Sequence, residues 1–289
     1  MEEYEKNIIP HIEAIYETFT PLEKTIADFF IRNEGQMDLS AKSVSKQLYV
    51  SEASLSRFAK KCGYKGYREF LFCYGQSGSS ASHPPASDQI KTVLNSYQEL
   101  LNKSYSLMDE EQIERIKNIL SEKKRIYVYG KGSSGLVGME MKMRFMRIGV
   151  NMEAITDDHI MKMNSVLLDE ECAVIGISVS GKTMEIIESL KAAKRCGATV
   201  ILMTSHIDKG FRSFCDEVML CAVKENLEQG KAISPQFPIL IMVDMIYSGM
   251  LRSDKFRRET LHDYTLEALD EKSDRKDTFK DNVRLEVIN

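Results

Sequence analysis

Two six-residue stretches, Gly130-Lys131-Gly132-Ser133-Ser134-Gly135 and Ser178-Val179-Ser180-Gly181-Lys182-Thr183, each follow a β-branched run and open a helix-like one. A turn of glycines and hydroxyl residues at a helix start offers unpaired backbone N–H groups, short O–H donors and the positive end of the helix dipole, a set suited to phosphate. Two such loops on one parallel sheet predict a pocket for one small phosphorylated molecule that also offers hydroxyls to bond. Ser133, Ser134, Ser178, Ser180, Gly181 and Thr183 are the candidate ligand contacts, and Lys131 and Lys182 place a cation in each loop. A single helix cap needs one hydroxyl, so three within six residues exceed that use.

Gly130, Gly132 and Gly135 also satisfy Gly-x-Gly-x-x-Gly, with Asp157 and Asp158 farther along. That pattern is the dinucleotide fingerprint. Two features weigh against it: a single pyrophosphate gives the second loop nothing to do, and Ser133 and Ser134 stand where an oxidoreductase usually keeps aliphatic residues. For sugar-phosphate isomerisation a base near neutral pKa is needed, and His159, Glu185 and Glu188 are the only candidates near the loops. The sequence has no His-Glu-x-x-His, no Gly-x-Ser-x-Gly elbow and no Cys-x-x-Cys. No catalytic residue, metal or cofactor is expected.

A second kind of chemistry lies nearer the start. The chain as a whole carries a formal charge of −4, yet between Ser40 and Gly75 it holds Lys42, Lys46, Arg57, Lys60, Lys61, Lys65 and Arg68 against Glu52 and Glu69, an excess of five positive charges. Within this basic stretch the spacing predicts a helix over Ser43–Leu48, a turn at Tyr49-Val50, and a second helix from Ser51 to Gly63. Ser51 is a good N-cap. Leu55, Phe58 and Ala59 are expected to face inward and Ser54, Arg57, Lys60 and Lys61 outward. A helix-turn-helix uses the start of its second helix on base edges and its basic residues on phosphates, so Lys46, Ser51, Ser54, Arg57, Lys60, Lys61 and Lys65 are the candidate DNA contacts. Gly63 to Phe70 reads either as a wing or as a helix stop followed by packing tyrosines.

The elements that must position these residues fall into two groups. Before residue 76 apolar residues recur at helical spacing without a strand pattern, which predicts an all-α domain over residues 1–75. Residues 76–88 are Gly, Ser and Pro-rich and form a linker. After it, two helices at about Ile90–Met108 and Glu111–Glu122 precede strand-like runs at Arg125–Tyr129, Cys172–Ile177, Thr199–Met203 and Val218–Val223. Helical runs at Leu136–Ile148, Met184–Cys196 and Ile239–Leu251 alternate with them, giving a doubly wound α/β domain with a parallel sheet over residues 89–269. Residues 270–289 make a charged tail. Cysteines at 62, 73, 172, 196, 215 and 221 read as buried thiols of a reducing cytoplasm. No window is apolar enough to span a membrane.

The order of helix-turn-helix, linker and α/β domain, with Val50-Ser51-Glu52-Ala53-Ser54-Leu55-Ser56-Arg57-Phe58 and the two loops, resembles the RpiR family of bacterial transcriptional regulators, from Thr20-Pro21-Leu22-Glu23 to about Leu251. The resemblance implies that the second half is a three-layer sugar isomerase (SIS) domain. It also implies that Ser178, Ser180 and Thr183 hold a sugar's phosphate while Ser134 assists, and it matches Asp157 and His159 to a common Asp-x-His. Lys182 departs from the family's loop and leaves the sugar unspecified. The expected function is a cytoplasmic DNA-binding regulator controlled by a phosphorylated sugar, acting on operator DNA as a homodimer or homotetramer. The alternative is a SIS isomerase or lyase with an appended helical domain.

Overall fold

The structure, a computed structural model, describes residues 8–33, 38–75, 88–224 and 233–269. Except for Asp88, the linker at 76–88 and the tail at 270–289 lie outside the described residues. The chain divides into two units, Met1–Lys91 and Thr92–Asn289.

The first unit is helical: α1 (Ile9–Ala14), α2 (Pro21–Arg32), α3 (Ala41–Leu48), α4 (Glu52–Lys61) and α5 (Tyr67–Gly75). Helix α2 starts where its sequence says it should. The Thr20 side chain accepts from the Glu23 N–H, the Glu23 carboxylate accepts from the Thr20 N–H at 2.8 Å, and Pro21 takes the first helical position, where a missing N–H costs nothing. Phe30 centres the core, its ring 4.8 Å from Phe70, 5.0 Å from Tyr74 and 6.3 Å from Phe58. The edge-to-face contacts with Phe70 and Tyr74 add to plain burial, and Phe58 stacks in parallel. Tyr67 and Phe70 are both buried, and the Tyr67 hydroxyl donates to the Leu39 carbonyl at 3.0 Å. Gly63 to Phe70 is therefore a helix stop followed by core aromatics, and the wing reading fails.

In the second unit, α6 (Asp88–Leu107) and α7 (Glu110–Glu122) lead into β1 (Arg125–Gly130), α8 (Ser133–Met146), β2 (Met152–Ile155), α9 (Asp158–Ser165), β3 (Cys172–Ile177), α10 (Met184–Arg195), β4 (Thr199–Thr204), β5 (Glu217–Leu220), α11 (Phe237–Ser253) and α12 (Lys255–Glu267). The five strands are all parallel, in the order β2-β1-β3-β4-β5. Strand residues alternate between faces. Ile126, Val128, Ile175 and Met203 pack with α7, α8 and α11 in one cluster, while Tyr129, Val174, Val200 and Leu202 pack with α9 and α10 in another. This is the three-layer, doubly wound sheet expected. Beyond the expectation, α9 lies between β2 and β3 and α12 follows α11 directly.

Candidate functional site

At the C-terminal ends of β1 and β3 the chain reverses its direction of travel across the sheet: β1 leads through α8 to β2 on one side, and β3 leads through α10 to β4 on the other. Open α/β sheets bind ligands in the crevice at such a switch point. Both loops picked out by sequence sit there, each delivering a helix N-terminus.

The first loop is built on glycine for steric reasons. A Cβ on Gly130 would lie 2.7 Å from the Ser134 backbone, and one on Gly135 would lie 2.8 Å from the Gly130 carbonyl oxygen, so α8 can start against the strand end only without side chains there. Gly132 takes φ +55°, which other residues rarely adopt. Ser134 and Gly135 donate their N–H groups to the Lys131 carbonyl, while those of Gly132 and Ser133 have no backbone partner among the described residues. Ser134 is nearly buried and Ser133 half-buried.

The second loop holds its own shape. The buried Ser178 hydroxyl donates to Thr183 Oγ1 at 3.0 Å and accepts from the Thr183 N–H at 3.4 Å, closing the loop across its base. Its tip is pinned to the end of β4, where the Val179 carbonyl accepts from the Ser205 N–H at 2.9 Å, the Ser205 hydroxyl at 2.7 Å and the Thr204 hydroxyl at 3.2 Å. Gly181, at φ +66°, brings the backbone so close to Phe211 that a Cβ would meet its ring at 2.9 Å. Ser180 Oγ accepts from the Lys182 N–H at 3.3 Å. Thr183 occupies the N-cap position of α10, yet no side-chain hydrogen bond caps that helix. Of the three hydroxyls expected on a phosphate, Ser178 is committed within the loop, whereas Ser180 and Thr183 are only half-buried.

Lys131 ties the site together. Its ammonium lies 3.0 Å from Glu185 Oε1 in the first turn of α10 and 3.9 Å from Asp158 Oδ2 in the first turn of α9. The hydrogen bond to Glu185 raises the Lys131 pKa, and Asp158 adds to the effect. Glu185 is shifted down, first by its own backbone N–H and then by Lys131. Asp157 caps α9 by accepting from the Ile160 N–H at 2.9 Å, and His159 is exposed in the first turn of that helix. Glu188 lies out on α10, bridged to Lys191 at 2.9 Å. Sequence reasoning weighed Glu185 as a base and missed its pairing with Lys131, which no local pattern across 54 positions reveals.

In the first unit, α3 and α4 meet through a tight turn. Ser51 caps α4, its hydroxyl accepting from the Ser54 N–H at 3.1 Å. Lys46, Ser51, Arg57, Lys60 and Lys65 are exposed, as expected. Ser54 is not: it is buried, with its hydroxyl 2.8 Å from Ser51 Oγ and accepting from Arg57 Nη2 at 3.1 Å. It lies four residues before the buried Phe58 and so on the inward stripe of α4, which the sequence reading had put outside. Lys61 is exposed as well, but its ammonium is engaged within its own unit, donating to the Thr18 carbonyl and to Glu23 Oε2, each at 2.7 Å. Tyr49, placed by the sequence in the turn but not among the candidate contacts, is 96% exposed there.

A helix-turn-helix unit joined to a doubly wound domain with twin helix-start loops defines a two-domain protein of DNA-binding architecture. The sequence matches the helix-turn-helix domain of the rpiR family over residues 6–77 and the SIS domain over residues 119–246. The chain belongs to the RpiR-type helix-turn-helix regulators that carry a SIS domain. It is 28% identical to an HTH-type transcriptional regulator of Haemophilus influenzae over 86% of this chain and 91% of the relative. A regulator from Clostridium perfringens is 24% identical, covering 81% and 88%. Among solved structures, Vibrio vulnificus NanR complexed with ManNAc-6P superposes with a TM-score of 0.59 at 22% identity, over 91% of this chain and 97% of that one. The sugar isomerase domain of an RpiR transcription factor from Sphaerobacter thermophilus gives 0.55 at 18% identity, over 61% and 97%. These likenesses carry the fold. Among the described residues no helix is long and apolar enough to cross a membrane.

Proposed function

We propose that this regulator binds operator DNA through α3 and α4 and takes a phosphorylated sugar as effector in the crevice between the β1–α8 and β3–α10 loops. The observation that carries the reading is the placement of two helix N-termini and a lysine at one switch point. In this reading the N–H groups of Gly132 and Ser133, the Ser180 and Thr183 hydroxyls and the Lys131 ammonium receive the effector, while Ser178 and Gly181 shape the loop. A phosphate monoester brings close to two negative charges and three acceptor oxygens. The NanR complex with ManNAc-6P supports a phosphosugar as the ligand class. Lys46, Ser51, Arg57, Lys60 and Lys65 face DNA.

The protein acts as a binding protein rather than an isomerase. A general base works best with a pKa near the operating pH, and Glu185 is driven the other way by its backbone N–H and Lys131. Thermal-shift screening against sugar phosphates, with the unphosphorylated sugars as controls, tests the reading. Stabilisation by a phosphorylated member alone is expected, and equal stabilisation by its parent sugar refutes the phosphate pocket. Turnover of the stabilising compound would favour the enzyme.

A further inference from the structure

Tyr49 holds φ +54° and ψ +39°, and among the described residues it is the one non-glycine with positive φ. A left-handed conformation at a residue with a Cβ is strained, and bulky residues keep it only where something else compensates. The fold gives little return. The turn's backbone is satisfied, with the N–H groups of Tyr49 and Val50 both donating to the Ser45 carbonyl, but glycine would make the same bonds at lower cost. The side chain is 96% exposed, and no ring contact or hydrogen bond holds it among the described residues. Tyr16, Tyr64, Tyr67 and Tyr74 behave otherwise, each engaging a ring or a hydrogen-bond partner within the unit. Tyr49 lies two residues before the N-cap of α4 and three after the exposed Lys46, at the edge of the basic surface.

Resting on the DNA-binding reading above, we infer that Tyr49 is itself a DNA contact, its phenol hydroxyl donating to a backbone phosphate beside the start of α4. Tyrosine is among the side chains that make such contacts, which set register without reading sequence. A neutral donor displaces no counterion, so the contact adds affinity without adding to the salt dependence.

The test uses the full chain, a duplex enriched from a random-sequence library on the wild-type protein, and an unrelated duplex of the same length. Tyr49→Phe keeps the ring and the backbone; it is expected to weaken binding to both duplexes by about three- to tenfold at an unchanged salt slope. Tyr49→Gly is expected to bind at least as poorly while unfolding about 2–5 °C higher, because the strain is gone. Wild-type affinity in Tyr49→Phe overturns the inference, as does a lower melting temperature in Tyr49→Gly, which would make the tyrosine a structural residue. If the wild-type chain enriches no duplex at all, the DNA-binding reading falls first and takes this inference with it.

Discussion

The Lys131 ammonium and the Glu185 carboxylate, 3.0 Å apart, join the loop after β1 to the helix that starts after β3. Both side chains are about one-third exposed, so the pair contributes little to stability. Its value lies in holding a cation at the crevice. Lys131→Ala is expected to weaken binding of the cognate sugar phosphate by about ten- to hundredfold with little change in melting temperature. Calorimetry on the variant decides it; unchanged affinity would remove Lys131 from the site.

The two serines of the second loop separate cleanly. Ser178→Ala strips Thr183 of both its loop bonds in a buried setting, an expected loss of about 1–3 kcal/mol of stability. Ser180→Ala removes a half-exposed hydroxyl whose one loop bond, from the Lys182 N–H, is solvent-exposed, so it should melt close to wild type and still lose most effector affinity. Paired melting curves and titrations read the difference, and the reverse pattern would show that Ser180 is the structural residue.

Arg57 and Lys60 are exposed on α4, whereas Lys61 is bound to Glu23 and Thr18. Arg57→Ala and Lys60→Ala are expected to weaken DNA binding at wild-type stability, with Lys60→Ala flattening the salt slope by about one unit. Lys61→Ala should instead lower the melting temperature. Gel-shift titrations at several salt concentrations, alongside melting curves, distinguish the three.

Glu23 gives a pH signature. Burial pushes its pKa up, but hydrogen bonds from Lys61 and Thr20 more than reverse that, and the net shift is downward. A carboxyl with a lowered folded pKa stabilises above its unfolded value, and that stability is lost as pH falls through the folded value. Glu23→Gln should therefore melt below wild type at neutral pH, with the gap closing towards about pH 3. A gap constant across that range would mean the charge contributes nothing.

What the sequence disclosed follows the range of the forces involved. Ser51 as a cap, the helical period of Leu55 and Phe58, and the buried run Cys172–Ile177 are local signals, and each element formed where they put it. Ser54 was misplaced because a hydroxyl residue was read as an outward one, although it lies four residues before Phe58 on the same buried face. Lys61 is exposed as expected, but its ion pair with Glu23, 38 residues away, could not be read from local spacing. The turn at Tyr49 was legible but its left-handed backbone was not, since glycine or asparagine ordinarily marks that conformation. The Gly130 and Gly135 contacts were legible as a motif, but the commitment of the Ser178 hydroxyl to Thr183 was not, because spacing counts donors without showing which are already used.

The two hydrophobic clusters of the second unit lie on opposite faces of the sheet, and α8 and α10 belong to different ones. Their N-termini nevertheless arrive side by side at the ends of β1 and β3. A molecule held as proposed by both loops would touch the first turn of one helix from each layer, at the edge of the sheet where β1 and β3 end.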